Sequence, residues 1–130
     1  MKYKDFIGKV HNKAHLADFE DAVQATRATL EVFGRRLTEG ERANLQAQLP
    51  EEIAVYLENL GKAERFGLDE FYTMVNLKDR EGVDPPDSVH RAQAVLAVLQ
   101  EAVSGGELED IKSQLPDEFN PLFDGGTIQE

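Results

Sequence analysis

Apolar residues along this chain recur every three or four positions, which is the spacing of one face of an α-helix. No stretch alternates with the two-residue period of a half-buried strand. The longest stripe in the first half is repeated 66 positions later with the same steps. The two stripes are Val23, Thr26, Leu30, Phe33 and Leu37, and Val89, Ala92, Leu96, Leu99 and Val103. The pattern predicts an all-α fold made of two related halves.

Helix-start signals repeat at the same interval. Asp18 and Asp84 occupy N-cap positions, where a carboxylate accepts hydrogen bonds from free amides. Thr38 and Ser104 each precede a glutamate by three residues, the spacing of a capping box in which the glutamate bonds back to the cap amide. A Leu-Pro step followed by acidic residues then begins another helix in each half. Across residues 22–57 and 88–123, 10 of 36 positions are identical, which favours an internal duplication.

These signals predict about eight helices, arranged as two pseudo-symmetric four-helix repeats in one core. Repeat one is expected over 1–62 and repeat two over 66–126, together forming a single domain at 1–126 with a flexible tail at 127–130. A unit of about 60 residues is marginal alone, because too little of its surface can be buried. We therefore expect the two repeats to pack face to face through their long second helices.

The stretch from Phe33 to Ile53 carries a more specific pattern: an apolar helix, a Leu-Thr-Glu turn, an alanine-bearing polar helix and then Ala-Gln-Leu-Pro-Glu-Glu-Ile. This pattern resembles a widespread prokaryotic family, domain-of-unknown-function family 2267, and residues 104–119 match it more weakly. The chain departs from the family pattern at Arg35 and Arg42, where acidic or small residues are expected. The resemblance implies a helical fold and supplies no activity, cofactor or catalytic residue.

Composition limits the partners that we expect. The net charge is −11, and residues 66–130 carry 4 basic against 14 acidic side chains. Such a surface opposes contact with nucleic acid and anionic membranes, both of which require a basic footprint. The chain contains no cysteine, so disulfides, thiolate metal sites and cysteine nucleophiles are excluded. No apolar run reaches the length of a membrane span, and we expect a cytoplasmic protein.

Two histidines suggest a metal site. His11 and His15 are four positions apart on the first predicted helix, which places both imidazoles on one face. A zinc site needs a third and a fourth ligand, and the sequence supplies none at a recognisable spacing. Lys9 and Lys13 on the same helix also disfavour a cation. The favoured interpretation is structural, with the histidines as weak metal candidates.

Three arginines flank the capping-box turn of repeat one only. Arg35, Arg36 and Arg42 could form an anion site, because guanidinium groups beside a helix N-terminus attract anions. The alternative, which we favour, is that they pair with the acidic second half and dock one repeat on the other. Gln48 and Gln114 precede the two Leu-Pro steps, where each amide can satisfy free backbone groups or line a groove between the repeats.

No phosphate-binding loop, nucleophile elbow or paired-carboxylate catalytic spacing is present. We therefore expect a non-enzymatic module for protein interaction or self-association, with no cofactor. The alternative is a small-ligand binder or enzyme that uses a pocket between the two repeats.

Overall fold

The computed structural model describes residues 1–124 and confirms the all-α fold. Within that range eight α-helices follow one another, and no strand occurs. The predicted tail at 127–130, and the last two residues of predicted repeat two, lie outside the described residues. The helices are α1 Tyr3–Ala14, α2 Phe19–Arg36, α3 Glu39–Gln46, α4 Glu51–Ala54, α5 Leu68–Lys78, α6 Pro85–Ala102, α7 Gly105–Ser113 and α8 Asn120–Asp124. Single 3-10 turns follow α4 at Val55–Leu57 and precede α8 at Asp117–Phe119.

Side-chain caps start three of these helices as the sequence predicts. An Asp18 carboxylate oxygen accepts from the Asp21 amide at 2.9 Å, and the Thr38 hydroxyl accepts from the Glu41 amide at 3.2 Å. Asp84 is the N-cap residue of α6 as predicted, but the expected hydrogen bond to its side chain is absent. Prolines occupy the first two positions of α6 and have no N–H, and the next amide, that of Asp87, bonds to the Asp84 carbonyl.

The two long helices α2 and α6 pack against each other at the centre of the molecule, as expected. Each of the opening helices, α1 and α5, contacts both of them, so that α1 lies on α6 and α5 lies on α2. The shorter helices α3 and α7 also contact each other. The contact of α1 with α6 is thus matched by the contact of α5 with α2. That the two halves are copies of one unit stays a prediction.

Phenylalanine rings from both halves meet in the core. Phe33 packs edge-to-face against Phe71 and Phe123, with ring centroids 6.4 and 6.3 Å apart. Phe71 packs in the same way on Phe119 at 6.4 Å. Each edge-to-face pair adds about 0.5–1.5 kcal/mol beyond the burial of its surface. One hydrophobic core thus extends through both halves.

The chain between the 3-10 turn after α4 and the start of α5, residues 58–67, is the connector. It lies close to the end of α2 at Gly34, where an added Cβ would approach Leu60 Cδ1 to 2.6 Å and Leu57 Cδ2 to 2.8 Å. A larger residue would therefore have to displace two leucine methyl groups, and the backbone angle of Gly34 sets no further requirement. No helix of the described residues is long and apolar enough to cross a membrane.

Gly34 and Gly8 form a matched pair for testing this contact, since both lie inside helices and only Gly34 is crowded. We expect Gly8→Ala to stabilise the protein by roughly 0.5–1 kcal/mol through helix propensity. We expect Gly34→Ala to destabilise it by about 1 kcal/mol, because an overpacking cost of about 1–3 kcal/mol exceeds that gain. Urea unfolding of both variants measures the difference. Equal stabilisation by the two substitutions would show that Leu57 and Leu60 can move aside without a loss of stability.

Candidate functional site

The three arginines singled out in the sequence all bind the connector or the residues beside it. Arg35 holds the Glu64 carboxylate with two hydrogen bonds of 2.8 and 3.0 Å. Buried Arg42 donates to the carbonyls of Gly34 and Gly61. The partner of Arg35 thus lies in the connector and not in the acidic second half.

Arg36 is the arginine of this cluster that reaches the second half. Its Nε donates to the Phe66 carbonyl at 2.9 Å, and its guanidinium lies 5.4 Å from the ring centroid of Phe119 and 5.9 Å from that of Phe66. A guanidinium over an aromatic face contributes about 0.5–2 kcal/mol, depending on its exposure. The contact joins the two halves of the chain by cation–π stacking, in place of the ion pair that the charge distribution suggests.

The two histidines lie at the end of α1. His11 is half-buried within the helix, and His15 is the exposed residue that follows it, with a left-handed φ of 54°. Neither belongs to a group of three potential metal ligands in residues 1–124. His15 instead borders a cleft of about 300 Å³ between the end of α1, the start of α2 and the loop before α6.

A network of buried charges forms the floor of this cleft. Arg91 on α6 is 4% exposed and bonds to both oxygens of Asp79 at 2.9 Å and to Asp21 at 3.0 Å. Arg80 also binds Asp21, at 2.8 Å. Ser88 adds a longer hydrogen bond of 3.4 Å to Asp79. The two guanidinium groups and two carboxylates neutralise one another, and they tie α2 of the first half to α6 of the second.

The arginines lower the pKa of Asp21 to about 2 from an ordinary 3.8. Burial, the largest single influence, acts in the opposite direction, and hydrogen bonds from Arg91 and Arg80 outweigh it together with their charges. The folded state therefore favours the ionised form of Asp21 more strongly than the unfolded chain does. A depressed folded-state pKa gives stability that is present above the unfolded value and is lost as the pH falls towards the folded value.

A different pair of side chains joins the halves at the starts of α3 and α7. The Gln48 side-chain oxygen accepts from the Ser104 amide at 2.7 Å, and the Gln114 oxygen accepts from the Thr38 amide at 3.4 Å. The second half of each predicted capping box is therefore wrong, because a glutamine from the other half of the chain takes the bond expected from Glu41 or Glu107. Gln48 and Gln114 thus lie at the junction between the two halves.

Because the glutamines bond to the cap amides, Glu41 and Glu107 do not. The two glutamate side chains lie next to each other at this junction, and each residue is only 6% exposed. Oε1 of Glu41 accepts from the Gln114 amide nitrogen at 3.0 Å. Oε2 of each glutamate is fully buried and has no hydrogen-bond partner. One carboxylate oxygen of each of Glu41, Glu107 and exposed Asp110 lies within 4.8 Å of the others. These three residues are called the acidic junction below.

Burial raises the pKa of Glu107 to about 7 from an ordinary 4.5, and its hydrogen bond to Glu41 and the charges of Glu41 and Asp110 raise it further. Two carboxylates at contact distance in a poorly solvated site cannot both ionise cheaply. The pair therefore needs a proton or another positive charge between its oxygens.

Sequence reasoning missed the acidic junction because each glutamate has a sufficient local explanation in its own capping box. One signal was available: Glu41 and Glu107 are 66 positions apart, as are Gln48 and Gln114. Residues at equivalent positions near the axis of a two-fold arrangement face each other. If the 66-residue shift is applied to polar as well as apolar residues, it predicts that Glu41 and Glu107 lie next to each other.

A third feature lies at the start of α1. Met1 and Phe19 are large apolar residues that are 42% and 43% exposed. The ring of half-buried Tyr3 packs edge-to-face on Phe19, with centroids 6.1 Å apart. Met1 and Tyr3 also line an open groove of about 610 Å³ with Pro50. Met1, Tyr3, Phe19 and Pro50 are called the N-terminal patch.

The Asp21 network predicts a loss of stability in acid. Between about pH 4 and pH 2, protonation of Asp21 should remove about 2 kcal/mol from the free energy of unfolding, because its pKa is depressed by nearly two units. Urea unfolding at intervals across this range measures the slope. Asp21→Asn should be less stable at neutral pH and lose less on acidification, and an unchanged slope would contradict the assignment.

The acidic junction predicts a stabilising substitution. In a buffer that contains a metal chelator at about pH 8, Glu107→Gln should raise the free energy of unfolding by about 1–3 kcal/mol. The substitution removes one of two buried negative charges that repel each other. Glu109→Gln, on the exposed side of the same helix, is the matched control and should change it by less than about 0.5 kcal/mol. Equal effects of the two variants in urea unfolding would rule out repulsion within the pair.

Comparison with known proteins identifies the family of this chain but provides no activity. No curated protein matches the chain. A family model described as an uncharacterised conserved protein, DUF2267, matches residues 3–122 and therefore covers the first seven helices and the start of α8. The stretch from Phe33 to Ile53, which suggested this family, lies within the match. The chain belongs to the DUF2267 family.

Proposed function

We propose that this chain is a non-enzymatic helical module that binds a second copy of itself through the N-terminal patch. The observation that carries the proposal is the exposure of Met1 and Phe19 beside the half-buried ring of Tyr3. An aromatic and methionine surface with a polar rim is the composition found at the centre of protein interfaces. Isolated exposed apolar residues need no explanation, whereas a contiguous group beside a groove does.

The rim of the N-terminal patch supports a second copy as the occupant. It carries exposed Lys2 and Lys4 together with exposed Asp5 and Glu52, so both signs of charge surround the apolar centre. In a two-fold contact the same surface faces itself, and a lysine of one copy can meet a carboxylate of the other. A basic or an acidic partner would meet like charges on such a rim.

The net charge of −11 opposes this association at long range. Two such molecules repel at low ionic strength, and salt screens charges separated by more than about 10 Å at 0.1 M. Apolar contact at the patch is not weakened by that screening. Self-association should therefore strengthen, and not weaken, as salt is raised from low to moderate concentration. The acidic surface and the lack of cysteine support a cytoplasmic protein without nucleic-acid or membrane partners.

The proposal predicts that Phe19→Glu abolishes concentration-dependent dimer formation. The carboxylate would lie at the exposed first position of α2, where it suits the helix dipole, so the fold should be retained. Analytical ultracentrifugation at about 0.1 M salt, where long-range repulsion is screened, measures the change. We expect at least a tenfold weaker association.

The matched control is Leu77→Glu, because Leu77 is 78% exposed on α5 and lies outside the patch. This variant should associate as the unmodified chain does. Equal loss in both variants would indicate general charge repulsion. A monomer at all concentrations in the unmodified chain would overturn self-association.

A second function, small-ligand binding, is favoured by the cleft of about 300 Å³ beside His15. Its exposed rim holds His90 and Asp87, and its floor holds the Arg91 network. The cleft supports this function less well, because Arg91 and Arg80 are already neutralised by Asp21 and Asp79. A monomeric chain that takes up inorganic phosphate with a measurable heat would favour this function.

A further inference from the structure

We propose that the acidic junction of Glu41, Glu107 and Asp110 binds a hard divalent cation of the size of Ca²⁺. The site lies where the starts of α3 and α7 meet, so each half of the molecule contributes a buried ligand. It is separate from the N-terminal patch and from the cleft beside His15, and it does not depend on either proposed function.

Two buried oxygens without partners point to a missing positive group. Oε2 of Glu41 and Oε2 of Glu107 belong to side chains that are more than nine-tenths buried, and no amide, hydroxyl or basic group donates to them, so that only a proton shared by the pair or a bound cation can satisfy them. Buried polar atoms are nearly always satisfied, and the exceptions need a cause such as a bound ion. A cation between the carboxylates would satisfy both oxygens and cancel their repulsion.

The surrounding structure holds the carboxylates in this arrangement. Both glutamates occupy the third position of a capped helix, where each would ordinarily bond to its own cap amide. Gln48 and Gln114 take over those amides from the opposite half, and Gln114 also donates to Oε1 of Glu41. The glutamines therefore release both glutamates from capping, and Gln114 also fixes the side chain of Glu41.

The donor set selects the chemical class of the cation. Three carboxylates with no imidazole or thiolate favour Ca²⁺, Mg²⁺ or Mn²⁺ over softer transition metals. Their oxygens all lie within 4.8 Å of one another, so one ion of this class can touch all three. Ca²⁺ accepts irregular sets of oxygen ligands, whereas Mg²⁺ demands near-octahedral geometry and gives up its bound water reluctantly. We therefore expect Ca²⁺ to bind more tightly than Mg²⁺.

Two opposing effects set the expected affinity. Three carboxylates attract the ion strongly, while the positive ends of α3 and α7 already offset part of their charge. Asp110 is exposed, so water completes the coordination from that side. Sites of this kind bind weakly, and we expect a Kd on the order of 10⁻⁴ M. A ligand that binds only the folded state raises its stability, so about 5 mM Ca²⁺ should raise Tm by about 5–10 °C.

Isothermal titration of the chelator-treated full chain with CaCl₂ tests the proposal, and thermal unfolding with and without CaCl₂ gives an independent measurement. The unmodified chain should bind one ion. Glu107→Gln should weaken binding at least tenfold and lose the Tm shift, and Asp110→Asn should weaken binding while leaving the buried pair in place. Glu109→Gln is the matched control, since it removes the same charge from the exposed side of α7 and should bind as the unmodified chain does.

Binding by Glu107→Gln with unchanged affinity would overturn the proposal, because the heat would then come from the acidic surface in general. Absence of heat and of any Tm shift with about 5 mM Ca²⁺, Mg²⁺ or Mn²⁺ in the unmodified chain would also overturn it. If Glu107→Gln fails to fold, Mn²⁺ broadening of amide resonances decides the matter. Broadening confined to the starts of α3 and α7 supports the site, and broadening spread over the acidic surface rejects it.

Discussion

The need to share one hydrophobic core constrains the rest of this molecule. Each half of about 60 residues would be only marginally stable alone, because a unit of that size buries a smaller share of its surface. The phenylalanine rings of α2, α5 and the last turns complete a single cluster that neither half contains alone. Burial therefore forces the two halves together, and the polar groups at their boundary must then find partners in a poorly solvated place.

Those polar groups are satisfied in three different ways. At the cleft beside His15, two arginines and two aspartates neutralise one another. At the connector, guanidinium groups bind backbone carbonyls and one glutamate. At the acidic junction, the exchange of glutamine caps leaves two carboxylate oxygens without partners. The first two arrangements are complete within the protein, and the third is not, which is why we place an ion at the junction.

Much of the fold was predictable from the sequence because helix periodicity and caps are local signals. The apolar stripes of α2 and α6 and the hydroxyl caps at Thr38 and Ser104 need only a few neighbouring residues to be recognised. The side-chain contacts of the glutamines, the glutamates and Arg36 were not predictable in this way, since their partners lie 30 or more residues distant. Asp84 shows a smaller failure, because Pro86 removes one amide that its carboxylate could cap and the Asp87 amide bonds to the Asp84 carbonyl instead.

The connector has a consequence for assembly. Contacts between the halves, such as α1 on α6 and α5 on α2, would be equally favourable if the second half came from another chain. Residues 58–67 decide between the two arrangements, because they must turn back for the closed form and straighten for the exchanged one. Arg35, Arg36 and Arg42 bind the turned-back connector through Glu64 and the carbonyls of Phe66 and Gly61. These arginines therefore favour the closed monomer over a domain-swapped dimer, a role that their position in the sequence did not suggest.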